Sequence, residues 1–92
     1  MTDAIGFLEA AADVMRERGR TYDKASGERS IAATVAAFNA ITGHALTEAD
    51  GWGFMLLLKL VRQYQAAEYH PDSALDAVAY SALMAEALAN EP

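Results

Sequence analysis

Apolar residues recur along most of the chain at helical rather than strand spacing. Ile5, Leu8, Ala12 and Met15 follow the i, i+3, i+7 rule of an amphipathic helix, which predicts a first helix over residues 3–18 with Gly19 as its stop. Residues 19–29 have no apolar period and read as a loop. Ile31, Val35, Phe38 and Ile41 mark the buried stripe of a second helix, which starts near residues 26–30 and ends at Gly43, a residue suited to the helix C′ position. Thr47 with Asp50 three positions on resembles a capping box, and the third helix runs through Trp52, Met55, Leu56, Leu60 and Tyr64 to about residue 67. Gly51 and Gly53 weaken its first turn or let another backbone come close. A fourth helix begins after Pro71, with Ser73 and Asp76 as a second S-x-x-D cap and Leu75, Val78, Ala79, Leu83 and Met84 as its stripe. No strand-like alternation, repeat or low-complexity tract interrupts this pattern. The expected fold is all-α: one helical domain over residues 1–92, about four helices with one long central helix, mostly antiparallel neighbours and short connections.

Composition changes this picture in one respect. The chain is 53% hydrophobic over 92 residues, and alanine supplies much of that fraction. Alanine favours close helix packing but buries little area, and a chain this short buries only about 60–65% of its unfolded surface. A thin monomeric core is expected, and with it a homo-oligomer. There are no cysteines, which excludes disulfides and thiolate metal sites and fits a reducing cytosol. The N-terminal residues lack the pattern of a signal peptide, and the longest apolar run, residues 54–58, is far too short to span a bilayer. No membrane association and a cytoplasmic location are expected.

The net charge is −6, which argues against a surface for DNA or RNA polymers. Yet five of the seven Lys and Arg residues fall in RERGRTYDKASGERS, residues 16–30: Arg16, Arg18, Arg20, Lys24 and Arg29. Ser26, Gly27 and Ser30 add hydroxyls and free N–H groups near a helix start. Guanidinium groups, hydroxyls and a helix N-terminus together suit a small phosphorylated ligand, and Tyr22 offers a face on which a base could stack. The competing reading is a solvated loop whose charge is offset by Glu17, Asp23 and Glu28.

Other candidates are weaker. Glu68, Asp72, Asp76 and Glu86 invite comparison with the all-α nucleotide pyrophosphatases, which hold Mg²⁺ between carboxylates of facing helices. The E-x-x-E and E-x-x-D spacing of those enzymes is missing, and a cap accounts for Asp76. No metal and no cofactor is expected. His44 and His70 sit at helix boundaries without ligand-spaced neighbours and read as surface or capping residues. Trp52, Phe54, Tyr64, Tyr69 and Tyr80 read as core or interface aromatics. Lys59 and Arg62 interrupt an apolar helix, so each must reach solvent, pair with an acid or face a shared cavity. For Arg62 an ion pair with Asp72 or Asp76 competes with a place at an oligomer axis, facing phosphate.

The ordered set ERG-x-x-Y-D-K-x-x-GERS, TVAAFNAITG, LTEADGW-x-FM-x-LLK-x-VR and HPDS-x-x-DAVAY-x-AL-x-x-E resembles the phage anti-CBASS cyclic-oligonucleotide sponges, over residues 16–86. The resemblance implies a non-enzymatic protein. Such sponges are helical homohexamers that bind cyclic dinucleotides and cyclic trinucleotides in separate pockets and release them intact. It implies Lys24 as a loop contact to dinucleotide phosphate, Phe7 or else Tyr22 as the base-stacking aromatic, and Ser26 with Arg62 at the trinucleotide pocket. Two other functions remain open: a Mg²⁺-dependent all-α nucleoside triphosphate pyrophosphohydrolase, and a helical module that binds a host protein.

Overall fold

The structure, a computed structural model, describes residues 3–21 and 30–91, without the side chains of residues 18–21. It is all-helical among these residues: α1 is Ala4–Thr21, α2 Ser30–Thr42, α3 Glu48–Gln65 and α4 Pro71–Ala89. The expected single long helix is instead three of nearly equal length, α1 and α3 with 18 residues and α4 with 19.

Helix ends follow local chemistry. The Asp3 carboxylate accepts from the Gly6 N–H at 2.7 Å and opens α1. The helix then runs through Gly19, the expected stop, to Thr21; one internal glycine costs only about 1 kcal/mol. Gly43 ends α2 at φ 78°, in the left-handed region where a Cβ would be strained. The connection to α3 is pinned by Asn39. Its side chain donates to the Leu46 carbonyl and accepts from the Leu46 N–H, both at 3.0 Å. The Thr47–Asp50 capping box forms as read, with Asp50 N–H to Thr47 Oγ1 at 3.1 Å and Thr47 N–H to Asp50 Oδ2 at 2.9 Å.

The start of α4 differs from the expected Ser73 cap. His70 is the N-cap, and its Nδ1 accepts from the Ser73 N–H at 3.2 Å and lies 2.6 Å from Ser73 Oγ. Pro71, with its φ already helical and no N–H to lose, fits the first helical position. Ser73 is therefore at N3 and buried, and its polar atoms are satisfied by the imidazole. His70 is a capping residue, as its place in the sequence suggested.

α3 and α4 form the central pair; α1 packs on α4 and α2 packs on α3, with no packing between α1 and α2 among the described residues. The core is as thin as alanine content implies: Ala11, Val35, Ala49, Trp52, Ala79 and Leu83 are its buried apolar members. Several expected stripes are covered only in part. In α1, Ala11 is buried while Ile5 and Leu8 stay exposed. In α2, Val35 is buried while Phe38 is exposed and Ile41 is 85% exposed. In α3, Leu60 is exposed and Tyr64 is 87% exposed. Each outer helix meets a single neighbour, so one element of the chain covers only part of each apolar face.

Gly51 allows the close approach of α2. A Cβ there would stand 2.7 Å from Val35 Cγ2 and 3.0 Å from Ile31 Cγ1. Both neighbours are β-branched and stiff at χ1, so neither swings aside cheaply. Gly51→Ala should therefore destabilise by about 1–2 kcal/mol despite its better helix propensity. Gly53 meets only the flexible Met84 Sδ, at 3.4 Å, and Gly53→Ala should stabilise by about 0.5–1 kcal/mol. Urea unfolding of the two variants checks this; a stabilised Gly51→Ala would mean that α2 sits farther from α3.

Candidate functional site

The sequence places its candidate ligand contacts on different parts of the chain, and the two that lie among the described residues are not brought together. Tyr22, Lys24 and Ser26 lie outside the described residues. Phe7 is half-buried on α1. Arg62 lies in the last turn of α3, exposed, with no ion pair among the described residues. α1 and α3 do not pack on each other, so Phe7 and Arg62 do not share a pocket within these elements. Of the two readings of Arg62, the ion pair with Asp72 or Asp76 is absent among the described residues.

Asp76 meets the other cation of α3. Lys59 Nζ lies 2.9 Å from Asp76 Oδ2, with side chains 12% and 16% exposed. The reading of Asp76 as part of a cap is corrected by this contact: the residue lies a full turn inside α4 and faces α3. Spacing explains the meeting. Asp76 and Tyr80 share one face of α4, at i and i+4, and Trp52 and Lys59 share one face of α3, at i and i+7. Tyr80 stacks on Trp52 with centroids 5.6 Å apart and planes 26° apart. Lys59 Nζ is 5.9 Å from the Tyr80 ring centroid, within cation–π range. Trp52 Nε1 donates to Glu48 Oε2 at 3.3 Å. Gln63, in the amide orientation that satisfies both groups, donates to the His70 carbonyl at 2.9 Å and accepts from the His70 N–H at 3.2 Å. This polar and aromatic seam fixes the register of α3 against α4. The seam pairs its one ammonium group internally, so it can hold the helix pair but presents no spare cation to a phosphate.

Sequence reasoning identified Lys59 as a cation needing a partner but not Asp76 as that partner. The available signal was a charge falling inside the apolar stripe of each helix. Among the described residues, no group of three or more His, Asp or Glu side chains is placed to hold a metal ion.

A further concave feature is apolar. A groove of about 850 Å³ runs between α2 and α3, lined by Ile31, Val35, Phe38, Phe54, Leu57 and Met84 among others. At its α2 end His44 stacks on Phe38, with centroids 5.8 Å apart and planes 12° apart.

Residues 7–88, most of the chain, match the family described as a domain of unknown function (DUF6378). The chain belongs to that family. No curated protein and no solved structure matches it. In this DUF6378 domain the match runs from Phe7 in the first turn of α1 to Leu88 in the last turn of α4, so all four helices belong to the family unit. No helix among the described residues is long and apolar enough to cross a membrane.

Proposed function

We propose that this DUF6378 chain sequesters cyclic di- and trinucleotide second messengers without hydrolysing them, as a homohexamer in the bacterial cytosol, and so antagonises CBASS-type anti-phage defence. The motif run over residues 16–86 underlies this reading. The observation that carries it is Arg62. An exposed guanidinium without an ion pair among the described residues has its donors available to a phosphate. It lies to one side of the apolar outer stripe of α3, so a second subunit covering that stripe would leave Arg62 at the rim between copies. Sequestration requires cations, donors and stacking faces from two sides, which symmetry-related copies of one short segment supply. In this reading Lys24 contacts dinucleotide phosphate, Phe7 or Tyr22 stacks on a base, and Ser26 with Arg62 holds the trinucleotide.

A Mg²⁺-dependent pyrophosphohydrolase would draw on the α4 carboxylates, and Asp76 among them is already turned to Lys59. That contact favours sequestration over hydrolysis.

A thermal-shift panel of 3′,3′-cGAMP and cyclic trinucleotides tests the proposal. A ligand at one hundred times its Kd stabilises by about 2.7 kcal/mol, which for a domain of this size raises Tm by roughly 10–20 °C. Lys24→Ala should abolish the dinucleotide shift and Arg62→Ala the trinucleotide shift. Shifts that survive both substitutions would overturn the residue assignment. No shift with any cyclic nucleotide would overturn the function.

A further inference from the structure

The exposed side of α3 is continuous and apolar. Phe54, Leu57, Val61 and Tyr64 recur at i, i+3, i+7 and i+10, so they form one stripe, opposite the Trp52 and Lys59 side that meets α4. Phe38 and Ile41 extend the exposed surface onto α2, across the groove. We propose that this α2–α3 face is a docking surface for a second copy of the same chain, with the two α3 stripes packed face to face and antiparallel about a two-fold axis.

Area is the first argument. Phe54 and Tyr64, 71% and 87% exposed, present on the order of 300 Å² between them. Leu57, Val61, Phe38 and Ile41, all exposed, widen the same patch toward the ~800 Å² that each partner of a stable complex contributes.

Composition is the second. From residue 51 to residue 61 the only charged side chain is Lys59, and it turns inward to Asp76. An uncharged centre rich in aromatics is the make-up of an interface core. A lipid surface fits less well. Membrane-lying helices flank their apolar face with Lys and Arg, whereas α3 opens on Glu48 and Asp50 and the chain carries a net charge of −6. An isologous pairing of identical faces also closes on itself, so this face is not left open to a third copy.

This inference rests on exposure and area, not on the nucleotide reading, and its test uses no nucleotide. Light scattering on the eluting peak should give the purified wild type a mass of at least twice 9.9 kDa at micromolar concentration. Leu57→Glu and Val61→Glu should run as monomers with unchanged helical circular dichroism, since both side chains are exposed within the chain. Leu88→Glu, at the end of α4, should leave the assembly intact. A second readout does not depend on the charged variants: the chain has no cysteine, so Leu57→Cys should cross-link between copies with a short bis-maleimide while Leu88→Cys should not. A monomeric wild type overturns the proposal, whatever other protein it can capture. So does an oligomer that survives both glutamate variants or cross-links only through Leu88→Cys.

Discussion

Replacing Trp52 by alanine should remove about 3–5 kcal/mol of folding stability. The indole is buried, stacks on Tyr80 and donates to Glu48. It is also the only large aromatic in a core otherwise built of Ala11, Val35, Ala49, Ala79 and Leu83 among the described residues. Short side chains cannot reach in to fill the space, so the cavity should stay open and the cost should fall at the high end. Domains of this length have a total stability of about 5–14 kcal/mol, so much of the folded population would be lost on warming. Urea unfolding of Trp52→Ala beside Tyr69→Ala isolates the effect. Tyr69 is an exposed aromatic in the α3–α4 connection, and its loss should cost less than about 0.5 kcal/mol. Equal midpoints for the two variants would show that the α3–α4 seam is not the core of the fold.

Asp76→Ala should cost about 3 kcal/mol, because it leaves the Lys59 ammonium nearly buried and unpaired. For a domain of this size that lowers Tm by roughly 12–24 °C. The paired replacement Lys59→Met with Asp76→Leu should recover most of the loss, since it removes both charges and keeps apolar volume where α3 meets α4. The double-mutant cycle is the measurement that decides it: a coupling well above about 0.5 kcal/mol is expected for groups in contact. Additive effects would mean that the two charges act independently.

Helix ends were the most legible part of the sequence because they depend on residues within one turn. Gly43 at the end of α2, the Thr47–Asp50 box and Pro71 at the start of α4 each act on backbone within one turn of themselves. Ser73 shows the limit of that logic: S-x-x-D fitted a cap, but Pro71 and the imidazole of His70, three residues upstream of Ser73, start the helix earlier. Apolar period was a poorer guide to burial. Ile41 and Tyr64 belong to regular stripes, yet period shows which face is apolar and not what covers it. Lys59 was recognisable as a cation on an apolar helix, while its partner required the pairing of α3 with α4. For the candidate site, Arg62 stood out in the sequence as a misplaced charge, but its exposure and its lack of an ion pair among the described residues come from the three-dimensional arrangement. Tyr22, Lys24 and Ser26 still rest on the sequence pattern, as they lie outside the described residues.

The most direct measurement of the proposed function is recovery of the ligand. The purified protein is mixed with 3′,3′-cGAMP or a cyclic trinucleotide, freed of unbound nucleotide, heat-denatured, and the released nucleotide identified by mass spectrometry. Sequestration predicts intact cyclic nucleotide in a fixed ratio to protein, with the trinucleotide lost in Arg62→Ala. Linear products, or no nucleotide retained through the separation, would contradict it.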